Sequence, residues 1–394
     1  MERDSTIGVE IELNLIDAQG YFQSAADSVL GDHRNAGLFV AEGNLAMVEY
    51  NSPPASSIAQ LHASIVPSLQ LLEEICAKYN VTPVSISENG AGAGIQRGGK
   101  PRYQAYATIL GQEANKQIDT VAGIHAHFSQ FKDRLLEQFW VLCALDPLSY
   151  ALTSTSPIRY DGTNGKNCQR IDTMRNHAFQ QFPLHAKLQQ YPASIAEIDD
   201  CNQQRFDQWQ EASGLDGATF AQLFTVQSTG YAPIRKRDNI GPGTWEVRSF
   251  DSTPLNIALA AVALYKGVND QVSEVRSISI ADRDDEYQFS LDKIVVPNLA
   301  TLQRMEKESI HVGIKAESVA QYLGAVLDFA QQGLPAEDKI YVQPIYDTLA
   351  TRCNPADRIM EYMRSLGIPG EQFLPDQSAK ANLFMREQYL RGLH

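Results

Sequence analysis

The sequence is poor in cysteine and contains no long apolar run. Its five cysteines form an odd set with no Cys-x-x-Cys spacing, so reduced, buried thiols are expected. The longest uninterrupted apolar stretch, Ile257 to Tyr265, has nine residues, about half of the roughly 18 needed to span a bilayer. The first residues are charged and lack the apolar core of a secretory signal. The sequence therefore predicts a cytoplasmic protein without a membrane span.

Positive charge is also scarce. The 394 residues include 33 Lys and Arg against 47 Asp and Glu, which gives a net charge of −14. Nucleic acids and anionic membranes both bind cationic surfaces, so neither is expected as the main partner. A composition of 43% hydrophobic and 20% charged residues is typical of a globular protein with a sizeable core. The charge leaves small-molecule substrates and proteins open as partners.

The order of the predicted elements favours an α+β fold over alternating βαβ units. Alternating or apolar segments predict strands at 8–15, 38–50, 120–128 and 244–250. Helical spacing predicts helices at 56–79, 101–116, 135–152, 254–270, 298–312, 316–332, 336–352, 355–366 and 377–391. Residues 153–215 are polar and are predicted as mostly loop. We expect a catalytic core at 1–296 and a helical part at 297–394 packed on it.

Glycines 90, 92, 94, 98 and 99 form a loop that resembles no nucleotide-binding fingerprint. The segment lacks the Gly-Lys-Ser/Thr ending of a phosphate-binding loop and does not lie in a βαβ pattern. It is expected to be a mobile loop, with a lid over the active site as the alternative. The sequence also contains no Gly-x-Ser-x-Gly and no His-Glu-x-x-His motif.

Three predicted strands each place two ionisable side chains on one face and apolar side chains on the other. The pairs are Glu10 with Glu12, His125 with His127, and Glu246 with Arg248. Taken singly, each pair is typical of a solvated sheet face, a structural histidine pair or a surface ion pair. If the three strands share a sheet, however, the six side chains form one polar face.

Glu42 and Glu49 flank a predicted hairpin turn and would add two carboxylates to the same face. Two unit charges about 7 Å apart repel by roughly 2 kcal/mol at an effective dielectric near 20, so clustered glutamates are costly without cations. Divalent cations would remove that cost. Carboxylate oxygens with an occasional histidine suit Mg²⁺ or Mn²⁺ rather than structural Zn²⁺.

Arg235 and Arg237 lie upstream of Glu246 and, with Arg248, form a small cationic group in an acidic protein. Guanidinium groups match the geometry of phosphate and carboxylate bidentately. A solvated basic turn is the alternative interpretation. Magnesium together with arginines around a phosphate is the usual equipment of phosphoryl transfer.

These segments resemble glutamate-cysteine ligase family 2, the carboxylate-amine ligases related to glutamine synthetase. The similar motifs run in the family's order and cover about residues 5 to 270: Gly-Val-Glu-Ile-Glu at 8–12, Glu42 and Glu49 with Asn-Ser-Pro-Pro at 51–54, Pro-Arg-Tyr-Gln at 101–104, Gly-Ile-His-Ala-His at 123–127, Ser-Thr-Ser-Pro at 154–157 with Arg170, and Thr-Trp-Glu-Val-Arg-Ser-Phe-Asp at 244–251. The chain lacks the His-Pro stretch of many members near 83–100.

The resemblance implies a glutamine-synthetase-like fold, with a curved, mainly antiparallel sheet, helices on its convex side and the active site on its concave face. The implied function is ATP-dependent ligation, as in the glutamate-cysteine ligase of glutathione biosynthesis. A carboxylate would take the γ-phosphate of ATP to give an acyl phosphate, and an amine would then displace phosphate. The implied cofactors are ATP and Mg²⁺ or Mn²⁺. A homodimer is compatible with the resemblance.

The resemblance also implies roles for particular residues. One metal ion would be held by Glu12, Glu42 and Glu49, and a second by Glu10, His125 and Glu246. The remaining implied roles are a substrate carboxylate or phosphate contact for His127, substrate binding for Arg170 and Arg102, and catalysis with phosphate binding for Arg248 and for Arg235 or Arg237.

Two other function classes stay open on the sequence. One is a phosphotransferase that acts on a guanidino or amine substrate, since phosphagen kinases share a related sheet. The other is a non-catalytic descendant of the fold that binds a metabolite or a protein. Neither the carboxylate nor the amine that would be joined can be read from the sequence.

Overall fold

A computed structural model describes residues 5–92, 95–229, 231–368 and 370–393 of the chain. It contains a seven-stranded sheet and a separate three-stranded sheet. The large sheet is formed by β1 (Ile7–Ile16), β2 (Phe39–Ala41), β3 (Met47–Asn51), β4 (Thr82–Val84), β5 (Gly123–Ser129), β6 (Ile234–Arg237) and β7 (Thr244–Asp251). The small sheet is formed by β8 (Ser277–Ile280), β9 (Gln288–Phe289) and β10 (Lys293–Val296).

Helices occupy most of the rest of the described chain. The α-helices are α1 (Ala26–Leu30), α2 (Ile58–Lys78), α3 (Pro101–Leu110), α4 (Gln112–Asp119), α5 (Leu135–Thr153), α6 (Gln169–Asp172), α7 (Ile195–Ser213), α8 (Gly217–Leu223), α9 (Leu255–Val272), α10 (Leu299–Val312), α11 (Glu317–Gly333), α12 (Gln343–Thr351), α13 (Pro355–Ser365) and α14 (Pro375–Arg391). A π-helical segment follows α6 at Thr173–Ala178, and a 3₁₀ turn precedes α12 at Lys339–Val342. The predicted α+β fold class is confirmed.

All strand pairs of the large sheet are antiparallel, in the order β2-β3-β1-β5-β7-β6, with β4 paired to β1. The alternation in β1 buries Val9, Ile11 and Leu13 in the main hydrophobic core, where they join apolar residues of α2, α5 and α9. Packing these helices on the apolar face leaves the opposite face for the polar side chains. The predicted two-sided character of β1 is confirmed.

Strand β7 contains a bulge opposite the middle of β5. Ile124 pairs with Phe250, and Ala126 pairs with Val247. Between these pairs, Arg248 and Ser249 of β7 together lie opposite His125 of β5. A bulge changes the phase of the side chains along the strand. Phe250 consequently packs in the core against the Tyr265 ring of α9, with 4.9 Å between ring centroids.

Helix α2 is capped by the serine that precedes it and by an aspartate from a distant segment of the chain. The Ser57 hydroxyl accepts a hydrogen bond from the Gln60 amide, as in a typical N-cap. The carboxylate of Asp338, far along the sequence, accepts from the Ile58 and Ala59 amides at 2.9 and 3.0 Å. A negative side chain at this end of the helix also favours the helix dipole.

Several predicted boundaries were wrong. Residues 153–215, predicted as mostly loop, contain the 19-residue helix α7, which Ser194 caps. Strands were expected to concentrate before residue 250, but the small sheet lies at 277–296. The helix predicted at 101–116 is divided at Gly111, whose φ of 85° ends α3. Strand β6 was not predicted, because its sequence, Ile-Arg-Lys-Arg, is mostly charged.

Two further observations concern the described part of the chain. No described helix is both long and apolar enough to cross a bilayer. The predicted glycine loop is irregular where it is described, and Gly94 lies outside the described residues, as does the charged start of the chain.

Candidate active site

Pairing between strands brings the predicted polar residues into one row that runs diagonally across the sheet. On one side of β1, Glu12 lies directly opposite Glu49 of β3. On its other side, Glu10 lies opposite His125 of β5. Farther out, His127 of β5 lies opposite Glu246 of β7. Glu246 in turn lies opposite Arg235 of β6. Residues directly opposite in adjacent strands have neighbouring side chains, so the register itself builds the site.

The Glu10 carboxylate is held by two imidazoles. His125 Nδ1 lies 2.7 Å from Glu10 Oε2, and His127 Nε2 lies 3.2 Å from Oε1. Burial opposes ionisation of Glu10, but these hydrogen bonds outweigh it and hold the pKa of Glu10 below its usual range. Burial, and then the positive charge of Arg248, lower the pKa of His125 to about 4. His125 is therefore neutral near pH 7, the form in which an imidazole can ligate a metal ion.

Three glutamates crowd the other end of the row. Burial, followed by repulsion from the neighbouring carboxylate of Glu49, raises the pKa of Glu12 to about 7. Burial and repulsion from Glu12 raise the pKa of Glu42 to about 7, and burial and repulsion from Glu42 raise that of Glu49 to about 9. The Gly123 amide donates a hydrogen bond to Glu12 Oε2 at 2.5 Å. The cluster is thus strained by negative charge that protons or cations must offset.

Glu246 is completely buried and is surrounded by guanidinium groups. Arg237 Nη1 donates to Glu246 Oε2 at 2.8 Å, Arg235 Nη1 lies 3.5 Å from the same oxygen, and Arg248 pairs with Oε1. Burial opposes the charge on Glu246, but the arginines outweigh it and keep the pKa of Glu246 well below its usual range. One carboxylate cannot neutralise three guanidinium groups, so an excess of positive charge faces the cavity.

Two sets of side chains converge closely enough to hold metal ions. Ligand atoms of Glu10, His125 and Glu246 lie within 4.8 Å of one another, as do those of Glu12, Glu49 and His125. Oxygen donors with one imidazole fit Mg²⁺ or Mn²⁺, and the raised pKa values of the second set show charge that a divalent cation would offset. The donor chemistry therefore fits the implied ions.

The two sets differ in part from the predicted ones. The first contains the same three residues as the second predicted ion site. In the other, His125 stands where Glu42 was expected, although Glu42 lines the same cavity.

Asp251, at the end of β7, joins three segments that are distant in the sequence. Its buried carboxylate accepts hydrogen bonds from the Thr155 amide at 2.9 Å, the Ser156 hydroxyl at 2.7 Å and Arg170 Nη1 at 3.4 Å. Arg170 Nη2 also donates to the backbone carbonyl of Arg248 at 3.1 Å. Arg170 therefore lines the cavity while its guanidinium group supports the bulge of β7.

Arg102 lies at the start of α3 and faces the same cavity. Its guanidinium group lies over the rings of Tyr103 and Tyr106, 5.8 and 6.0 Å from their centroids. Its Nη2 donates to the Tyr106 hydroxyl at 3.3 Å, and no carboxylate of the described chain lies within ion-pair distance. Glu42 attracts this guanidinium group without pairing with it directly, so Arg102 keeps donors for a bound anion.

A cavity of about 330 Å³ connects these groups. One of its walls is aromatic and consists of Tyr103, Tyr106, Phe179, Trp209 and Tyr231. None of these five residues was predicted as a site residue, although Tyr103 lies in the Pro-Arg-Tyr-Gln motif. Trp209 lies on α7, where loop was predicted, and no spacing connects it with the motifs around it.

Comparison of the sequence with known protein families identifies the family of this chain. The profile of "Glutamate-cysteine ligase family 2(GCS2)" matches residues 6–372. The chain belongs to this family. The "Putative glutamate--cysteine ligase 2" of Bordetella avium (strain 197N), a curated relative, is 27% identical over 207 residues, which cover 49% of this chain and 47% of that protein. The match thus spans about half the length of the Bordetella avium protein.

Solved structures share the fold. A bifunctional glutathione synthetase from Pasteurella multocida superposes with a TM-score of 0.62 and 12% identity, over 98% of this chain and 53% of that one. A glutamate–cysteine ligase from Francisella tularensis, in complex with AMP, gives a TM-score of 0.59 and 14% identity, over 99% and 93% of the two chains. At these identities the likeness shows the fold alone, and it agrees with the predicted α+β fold with a mainly antiparallel sheet.

Proposed function

We propose that this protein is an ATP-dependent ligase that joins a carboxylate to an amine, as expected of glutamate-cysteine ligase family 2. The observation that carries the proposal is the position of Glu246. Its carboxylate lies beside the imidazole and carboxylate ligands of one candidate ion site and is also bound by three arginines. Family membership supports the same conclusion.

The proposed reaction has two transfers. A carboxylate oxygen attacks the γ-phosphorus of ATP, the bond to the bridging oxygen breaks, and ADP leaves. The amine nitrogen of the second substrate then attacks the carbonyl carbon of the acyl phosphate, inorganic phosphate leaves, and the nitrogen loses a proton. Glutamate with cysteine is the pair suggested by the family's description.

The residues divide this work by charge. Glu10, His125 and Glu246 would hold one divalent cation, and Glu12 and Glu49, with Glu42 beside them, a second. Bound divalent cations supply charge neutralisation and a template for the phosphate oxygens.

The arginines would act on the anionic groups of the substrates. Arg248, Arg235 and Arg237 supply positive charge beyond what Glu246 neutralises, and this excess would stabilise a transferring phosphoryl group. Arg102, which faces the cavity and forms no direct ion pair in the described chain, would bind a substrate carboxylate. His127 would act through its hydrogen bond to Glu10, and Arg170 through its hydrogen bond to the Arg248 carbonyl.

The decisive experiment is a screen of carboxylate and amine pairs for ADP release in the presence of Mg²⁺, followed by mass spectrometry of the product. The proposal requires that ADP release depend on both substrates and that the product be an amide. Release with the amine alone and a stable phosphorylated product would instead indicate a phosphotransferase. Absence of turnover with every pair, together with tight binding of one metabolite, would indicate a binding protein.

The cytoplasmic location, the homodimer and the division at residue 296 stay predictions.

A further inference from the structure

A second cavity, of about 670 Å³, shares no lining residue with the candidate active site. It is bounded by α2, α9, α12, α13, α14 and the 3₁₀ turn before α12. Its volume lies within the range of about 300 to 1,000 Å³ that is typical of small-molecule sites. The motifs and the proposed reaction leave this cavity without a role.

The cavity has an apolar interior. Its apolar lining includes Val66, Ile257, Leu259, Ile340, Phe384 and Met385. Leu259 and Met385 are buried, whereas Ile340 is 74% exposed at the edge. A large aliphatic side chain that is mostly exposed beside an apolar cavity would lose contact with water if the cavity were filled.

The charges around the cavity are of one sign. Among the described residues that line it there is no aspartate or glutamate, although the whole chain has a net charge of −14. Arg358 of α13 and Arg391 of α14 both line it and are both exposed. Neither guanidinium group lies within ion-pair distance of a carboxylate of the described chain. Two cations without counter-charges beside an apolar cavity are complementary to an anion with an apolar body.

One polar pair of the lining joins α2 to the 3₁₀ turn before α12. His62 Nδ1 of α2 lies 3.0 Å from the Tyr341 hydroxyl, and the two rings meet edge to face with 5.5 Å between centroids. His62 Nδ1 and the Tyr341 hydroxyl satisfy each other, and the two arginines are the only formally charged side chains among the described residues of the lining. The anionic end of a ligand is therefore directed to the arginines.

We propose that this cavity binds a small amphipathic anion, with an apolar chain in the cavity and a carboxylate or phosphate at Arg358 and Arg391. The inference is independent of the proposed ligase activity, because no residue is shared between the two sites. A neutral or cationic amphiphile of the same length would fill the apolar space but gain nothing from the arginines.

The methionines of the chain allow the site of binding to be observed directly. Met385 lines this cavity, whereas Met174 lines the candidate active site. The full chain, labelled at its methionine methyl groups, is titrated with octanoate by NMR, and Met385→Leu assigns the signal. We expect the Met385 signal to shift while the Met174 signal stays unchanged. A shift of Met174 without one of Met385 would overturn the proposal.

Calorimetric titration compares octanoate and octyl phosphate with 1-octanol and octylamine. We expect at least one of the two anions to bind and both controls to bind at least about tenfold more weakly. If octanoate binds more tightly, the head group is a carboxylate, and if octyl phosphate does, it is a phosphate. Equal affinity for octanol would contradict the role of the arginines.

The variant Arg358→Gln/Arg391→Gln should bind the anion about tenfold more weakly or worse. Both side chains are exposed, so the fold should persist, which circular dichroism checks. The matched control is Arg364→Gln, an exposed arginine of the same helix α13 that does not line the cavity. Unchanged affinity in the double variant would refute the proposal.

Discussion

Arg248 donates a hydrogen bond to the carboxylate of Glu246, two residues before it on the same face of β7. In a regular strand such a pair is usually a modest surface interaction. Here Glu246 is completely buried, and Arg237 binds its other oxygen at 2.8 Å. The pair therefore forms the centre of a desolvated charge cluster, and its two members are the first targets for mutation.

Replacing Glu246 with glutamine should abolish most Mg²⁺-dependent ATP turnover. The amide keeps the shape but loses the charge that orients three arginines and ligates the proposed cation, so we expect a loss of roughly a hundredfold or more. Uncompensated guanidinium groups should also destabilise the fold by about 1–3 kcal/mol. Turnover is measured beside urea unfolding, and a folded variant with wild-type turnover would count against the site.

Arg248→Lys should be nearly as damaging, because an ammonium group cannot reproduce the planar fork of a guanidinium group. We expect a drop in kcat of at least about tenfold with the fold intact. Arg276→Lys is the matched control, because Arg276 is 86% exposed and pairs only with Asp292 at the surface. Equal kinetics for the two variants would contradict a role for Arg248 in phosphoryl transfer.

The stability of the metal-free protein should fall as the pH rises. Burial and repulsion from Glu42 raise the pKa of Glu49 from 4.5 to about 9, so between these values the folded state binds more protons than the unfolded state. By linkage, the contribution of Glu49 is fully present below pH 4.5 and is lost as the pH approaches 9. One proton gives a slope of at most about 1.4 kcal/mol per pH unit.

Urea unfolding in EDTA from pH 5 to 9 measures this slope. Glu49→Gln should reduce it, and Mg²⁺ should reduce it in the wild-type protein, because a cation replaces the proton. A wild-type slope equal to that of the variant would show that Glu49 does not titrate in this range.

Gly123→Ala should disturb the site through Arg170. A Cβ atom at residue 123 would lie 2.2 Å from Arg170 Nη2 and 3.1 Å from the Phe250 carbonyl oxygen, so the guanidinium group must move. We expect a destabilisation of about 1–3 kcal/mol and reduced turnover. Gly99→Ala, where an added Cβ meets nothing within 4 Å, is the control. Wild-type stability and turnover of Gly123→Ala would show that the Arg170 position is unimportant.

The site was largely predictable where period-two alternation identifies a strand. Glu10 and His125 each stand in a strand whose alternate residues are apolar, so their faces followed from the sequence, and the core positions of Val9 and Ile11 confirm the pattern for β1. Which strands pair, and in which register, did not follow. That information depends on long-range contacts, and here the resemblance to a family supplied the expectation.

The remaining errors share a physical cause. Strand β6 carries Arg235 and Arg237 in a run of charges that local propensity does not favour as a strand, and pairing with β7 overrides that propensity. Helix α7 has few apolar residues, and the buried Trp209 joins an aromatic cluster from distant segments. Tertiary packing decides both elements, and a single sequence does not display it.

The bulge in β7 allows the two halves of this strand to vary separately. Val247 and Phe250 both pair with β5, and the extra residue between them lets Phe250 pack against the Tyr265 ring on α9 while Glu246 faces the opposite side of the sheet. Changes in helix packing below the sheet can then be absorbed at the extra residue without rotating Glu246.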